Sequence, residues 1–290
     1  VTANTAVTIA DLQANGFETM TITSAGAGTN TNSIEFGVQN TELEKVIVSG
    51  ASAFTLTVDA ASDLGNGDLT IDASGMTAVT TVTLPAEDDG TNITLGTAAD
   101  IVTGGTGVDI MVLGAGADTV NASSGLDKYT GGTGSDTYIL TTATANSTDA
   151  LTITDFGRGL GGDLIQIDES NAVGTALGAM TTTLIYVEGS IGTVGVNNSS
   201  TGFVGDGVHV VTDQSFASYD ALETQMSIEN GGIALTDFAT VYLDSTLGYA
   251  QMYADVATGI TTDELLMIKF TDITTLAQLA ELSSDNFEII

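Results

Sequence analysis

The chain has 290 residues, 37 of them acidic and four basic, for a formal net charge of −33. Phosphate affinity comes from clustered Lys and Arg, and Lys45, Lys128, Arg158 and Lys269 are scattered, which leaves nucleic-acid binding without a basis. There is no cysteine, so a disulfide scaffold or a thiolate metal site is ruled out, and no apolar run reaches the length of a membrane span.

A chain this acidic repels itself unless cations screen or bind it, which fits a cation-rich exterior. Apolar residues make up 42% and alternate with polar ones, so the composition is β-rich rather than disordered. The sequence starts at Val1 and shows no signal peptide. The expectation is a processed product or the C-terminal part of a longer protein.

Residues 1–94 read as a Thr-rich β region. Thr8–Gln13 suggests a short helix stopping at Asn15-Gly16. Short alternating segments follow at 18–23, 33–38, 43–49, 54–59, 68–72, 79–84 and 92–95. Val46 and Val48, with Phe54, Leu56 and Val58, are expected to share a core, and Thr lines the outer face. The spacing fits a β-solenoid or a sandwich.

Residues 95–140 repeat with a period of nine: LGTAADIVT, GGTGVDIMV, LGAGADTVN, ASSGLDKYT, GGTGSDTYI. Asp100, Asp109, Asp118, Asp127 and Asp136 share one phase. Gly107, Gly116, Gly125 and Gly134 sit two places before the last four, and Val102, Met111, Val120, Tyr129 and Tyr138 two places after. The pattern matches G-G-x-G-x-D-x-U-x, the nonapeptide of a calcium-binding parallel β-roll. Glycine lets the turn backbone take positive φ and aim its carbonyls at one point. The carboxylates add charged oxygens, and many oxygen ligands in a flexible geometry suit Ca²⁺. The candidate ligands are the five aspartates with the turn residues Gly104, Thr106, Gly107, Gly114, Gly116, Gly125, Gly131, Thr133 and Gly134. Two nonapeptides make one coil, so Asp100, Asp118 and Asp136 line one edge and Asp109 and Asp127 the other. That arrangement predicts about three ions or more. Leu95 and Ala98, and Ala122 and Ser123, replace glycines in the first and fourth repeats and predict weaker loops.

Residues 141–168 read as a cap for the open end of the roll, with strands near Leu151–Ile153 and Leu164–Ile167. Asp155 and Asp163 could ligate one more ion or be surface acids. Residues 169–290 read as a β-rich domain with one or two short helices. Strands are expected at 184–187, 207–212, 239–243, 250–253 and 265–270, helices at 216–228 and 275–282, and a terminal strand at the apolar end.

No catalytic constellation is legible, and the expectation is a protein that is not an enzyme. His209 is the one histidine, so paired-histidine zinc motifs are absent, and it sits in a strand-like VHVV stretch. Neither a G-x-S-x-G elbow nor a P-loop is present. Acid pairs such as Glu87-Asp88-Asp89, Asp168-Glu169 and Asp263-Glu264 are too numerous to be specific.

Residues 95–168 resemble the repeats-in-toxin (RTX) family, whose members leave Gram-negative cells by type I secretion. The segment VTITDFGRGLGGDLIQID, with Val241–Asp244, Leu265–Leu276 and Gly16–Ile22, is similar to Caulobacter-type calcium-dependent surface-layer (S-layer) proteins. The resemblance implies an all-β fold: the N-terminal strand region continues into an RTX β-roll and then a β-rich C-terminal domain carrying an uncleaved secretion signal. It also implies Ca²⁺ as cofactor and self-assembly into a lattice on the cell surface. An anchor to cell-surface polysaccharide would lie outside this chain. The alternative is the C-terminal secretion module of a type I secreted protease or lipase, or of an adhesin.

Overall fold

The computed structural model describes residues 6–13, 16–26, 30–37, 42–58, 69–84, 90–140, 150–167, 187–189, 207–229, 238–255 and 264–289. They are strand-rich and fall into two units, residues 1–138 and 139–290.

In the first unit the period-two alternation makes strands that take turns between two sheets. β1 (Thr8–Leu12), β3 (Asn32–Phe36), β5 (Phe54–Val58), β7 (Thr80–Thr83), β9 (Ile101–Thr103) and β11 (Thr119–Ala122) pair side by side, and β13 starts at Thr137 beyond them. The other sheet is β2 (Thr19–Ser24), β4 (Lys45–Gly50), β6 (Leu69–Met76), β8 (Thr91–Thr94), β10 (Ile110–Val112) and β12 (Lys128–Thr130). The strand pairings described in this unit are parallel and bring like faces into columns, as Met111 lies beside Ile93 and Tyr129. This is a β-solenoid from the first strand, not a sandwich, because consecutive strands cross to the opposite sheet instead of folding back as hairpins.

The core is the space between the two sheets. Val46, Val48, Phe54, Leu56 and Val58 are buried there as expected, and so are Val102, Met111, Val120, Tyr129 and Tyr138. Burying an aliphatic side chain of this size contributes about 1.5–3 kcal/mol. Tyr129 and Tyr138 stack with ring centroids 6.3 Å apart.

The helix expected at residues 8–13 is a strand. A helix of one and a half turns cannot offset its nucleation cost, whereas β3 offers a ready edge and the Ser33 N–H donates to the Val7 carbonyl at 2.8 Å.

The second unit holds β14 (Leu151–Ile153), β15 (Leu164–Ile167), β16 (Val187–Gly189), β17 (Gly207–Val211), α1 (Tyr219–Glu229), β18 (Phe238–Asp244), β19 (Tyr249–Asp255), β20 (Glu264–Phe270), α2 (Leu276–Leu279) and β21 (Phe287–Ile289). One sheet runs β16-β17-β18-β19-β20-β14, and β15 pairs with β21. Residues 151–167 thus fold together with the C-terminal strands, and the apolar terminus is tied into a sheet as the sequence suggests. His209 is buried in β17. α1 packs Tyr219 and Leu222 against Val211 and Tyr242. Of the strand expected at 184–187 only Val187 is described, and Glu87–Asp89 and Asp168-Glu169 lie outside the described residues.

Candidate metal centre

The nonapeptide turns stack coil on coil. A Cβ on Gly116 would run into the Ala98 carbonyl, one on Gly134 into that of Gly116, and one on Gly125 into that of Gly107. Gly114, Gly116, Gly125 and Gly134 have φ of +99°, +144°, +143° and +141°. Gly131 lies against the Asp136 carboxylate and the Tyr138 hydroxyl. The Thr133 N–H donates to the Gly114 carbonyl at 3.0 Å, and the Gly116 N–H to the Thr133 carbonyl at 2.9 Å. Each of these carbonyls keeps a second lone pair. Thr106 is exposed in its turn, between the half-buried Gly104 and Gly107.

All five aspartates are buried, at 0–1% exposure. They form two ladders. The Asp100 N–H donates to Asp118 Oδ1 at 2.7 Å, and the Asp118 N–H to Asp136 Oδ1 at 3.0 Å. On the other edge the Asp109 N–H donates to Asp127 Oδ1 at 2.9 Å. Threonines head both ladders: the Thr80 N–H donates to Asp100 Oδ1 at 2.6 Å and the Thr91 N–H to Asp109 Oδ1 at 2.9 Å. Thr91 stands nine residues before Asp100, in the phase of the aspartates but with no carboxylate of its own, whereas Thr80 stands outside that phase and no spacing announces it.

The second carboxylate oxygens differ. Asp100 Oδ2 and Asp109 Oδ2 accept from the N–H of Gly96 and Gly105 in their own turns, both at 3.3 Å. Asp127 Oδ2 accepts from the Tyr129 hydroxyl at 3.0 Å. Asp118 Oδ2 is buried with no hydrogen-bond partner, and so are Thr80 Oγ1 and, on the other edge, Ser123 Oγ beside Gly104. Ser123, expected to weaken its loop, therefore brings an unsatisfied oxygen to the stack.

Burial raises the Asp118 carboxyl to about 7; the hydrogen bond from Asp100 opposes it, and the charges of Asp136 and Asp100 push the same way. Burial also raises Asp100 against the N–H groups of Thr80 and Gly96. The Tyr129 hydroxyl is held well above its ordinary range by burial and by the charges of Asp127 and Asp109. Neighbouring parallel strands lie roughly 4.8 Å apart. Two carboxylates at that spacing repel by about 3 kcal/mol at an effective dielectric near 20. A proton or a cation must offset this, and buried orphan oxygens each cost about 1–3 kcal/mol.

The donor set is all oxygen, from carboxylates, hydroxyls and carbonyls, and it fits a hard cation. Among the described residues no three acidic or imidazole groups converge on one point. The ladders supply one carboxylate per coil and edge, so carbonyls would complete any coordination shell.

Compared with known proteins, the chain matches no family model and no curated protein.

Asp118 has a carboxylate neighbour on both sides and Asp100 on one. Asp118→Ala is expected to shift the calcium midpoint of folding further than Asp100→Ala. Equal midpoints in a calcium titration followed by circular dichroism would count against ions shared between coils.

Proposed function

We propose that the protein is a secreted, calcium-folded structural protein that assembles on the surface of a Gram-negative cell as a surface layer. The Asp100–Asp118–Asp136 ladder carries the reading: three buried carboxylates in one column, with one buried oxygen orphaned at its centre. Such a column is unfavourable when empty and charged, and a divalent ion between coils neutralises it.

The roll continues a long Thr-faced solenoid, which favours a structural product over an enzyme's tail. The low basic content supports the same reading. At −33 the chain resists collapse where calcium is scarce. Outside the cell, millimolar calcium fills sites with Kd near about 10⁻⁴ M and draws folding forward by mass action. In this reading the C-terminal region carries the type I secretion signal. Among the described residues no helix is long and apolar enough to cross a membrane.

The test is electron microscopy of purified protein with millimolar calcium. Ordered two-dimensional sheets that a chelator disperses are expected. Protein that folds with calcium yet stays monomeric would overturn the assembly claim and leave the calcium claim standing.

A further inference from the structure

The outward side of one sheet in the first unit is laid out as a grid of threonines. Thr55 pairs with Thr81 and Thr57 with Thr83. Next, Thr83 pairs with Thr103 and Thr81 with Ile101, and Ile101 in turn with Thr119. From β3 to β11 no pairing shifts register, whereas the opposite sheet slips between Ile47 and Ser49. Two columns of side chains result. Their members repeat about 4.8 Å apart across strands and about 6.6 Å apart along each strand. The residues between them, such as Leu56, Val82, Val102 and Val120, point into the core, so these threonines turn outward and are half-buried. A β-branched side chain is stiff at χ1, so the hydroxyls and methyls repeat along with the backbone.

The columns carry no charge from Thr55 to Asn121, in a chain with 37 acidic residues, and Glu35 stands at their upstream end. The opposite sheet turns Lys45, Asp72 and Lys128 outward. A neutral ligand therefore suits this face better than an ionic one. Among the described residues the hydroxyls of Thr55, Thr57, Thr81, Thr83 and Thr119 bond to no other group of the chain, and the Thr103 hydroxyl accepts from Asn121 Nδ2 at 3.4 Å. A hydroxyl has one donor and two lone pairs, so the grid is open to an external partner at every threonine. Neither column holds an aromatic ring on which a sugar could stack, and Ile101, 41% exposed, stands among the hydroxyls.

We infer that this face binds ice. Both repeats are close to distances between oxygens in the ice lattice. Water held by hydroxyls at those repeats, and caged around the methyls between them, is already ordered and continues into the crystal. A charge would gather water into a shell that no ice plane matches, so the neutrality of the columns is part of the fit. The solenoid holds the grid rigid, which removes most of the ordering cost of binding. This property goes beyond a structural role and belongs to the first unit alone; the aspartate ladders serve it only as scaffold.

The test is ice growth in the presence of full-length chain folded in millimolar calcium. Wild type is expected to facet ice crystals just below the melting point. It is also expected to open a gap between melting and freezing that widens with protein concentration. Thr81→Tyr sets a ring over the middle of the grid and is expected to lose most of that gap. Thr70→Tyr, on the outward side of the opposite sheet, is expected to keep it. Circular dichroism melts check that both variants fold. Should Thr81→Tyr fail to fold, Thr103→Lys takes its place, with the same loss expected. Folded wild type that leaves ice growth unchanged overturns the inference, and so does equal loss in Thr70→Tyr and Thr81→Tyr. Retention of wild type on a neutral polysaccharide with no effect on ice also overturns it and assigns the face to glycans. None of these outcomes bears on the surface-layer reading.

Discussion

Gly134→Ala is expected to destabilise the first unit by about 3–5 kcal/mol, while Gly161→Ala costs about 1 kcal/mol, in urea or thermal unfolding at a fixed calcium concentration. Both glycines have positive φ, +141° and +75°. Backbone strain on adding a side chain is therefore common to both and of order 1–3 kcal/mol. The surroundings separate them. A Cβ on Gly134 lands on the Gly116 carbonyl, whereas one on Gly161 meets no atom within 4 Å. The Gly116 carbonyl cannot retreat freely, because its turn is tied to the next by the Gly116–Thr133 and Thr133–Gly114 hydrogen bonds. Either those bonds break or the coil spacing opens, and both outcomes disturb the column of Asp118 and Asp136. Equal losses at the two positions would mean that turn stacking is not what fixes the roll.

The turns were legible in the sequence because each nonapeptide repeats its residue types at the same phase. From that alone the inward side chains and the division of the aspartates between two edges follow, and the structure places them so. The upstream coils carry no such period. Thr19 pairs with Lys45, Lys45 with Thr70, Thr70 with Asn92 and Asn92 with Ile110, so in this sheet the spacing shrinks to two nonapeptides, while in the other Ser33 pairs with Thr55, Thr55 with Thr81 and Thr81 with Ile101 at uneven spacing. Alternation marks these strands but does not say whether neighbours run parallel, which is why a sandwich stood beside a solenoid. The pairing of residues 151–167 with 268–289 left no trace either. Contacts more than a hundred residues apart depend on shape and on single groups such as Asn286, which no local pattern announces. Thr80 carries no sequence signal, and Ser123 reads only as a lost glycine, for a related reason. A hydroxyl gains its role at the ladder from where the backbone sets it, not from its spacing.

The same ladders predict an unusual pH dependence. Without calcium, the first unit is expected to be more stable near pH 5 than near pH 8. The Asp118 carboxyl rises from 3.8 to about 7 on folding, chiefly through burial and then through the charges of Asp136 and Asp100. Asp100 rises as well, for want of solvent. Between these values the folded chain holds protons that the unfolded chain has released. Stability therefore falls as pH climbs through that window, and the loss from Asp118 is at most about 4 kcal/mol. Most carboxylates do the opposite, since pairing lowers them and acid removes their contribution. Calcium is expected to reverse the slope. An ion at the column would take the place of the proton, need the carboxylates charged, and stabilise the fold more as pH rises. Unfolding temperatures measured across this range in chelator and in millimolar calcium should thus run in opposite directions. Asp118→Asn keeps an acceptor for the Asp100 N–H but carries no titrating proton. It is expected to flatten much of the chelator profile and to lose part of the gain from calcium. A wild-type profile that climbs with pH in chelator would show that these carboxylates are not stranded in the dry column, and the case for an ion between the coils would fall with it.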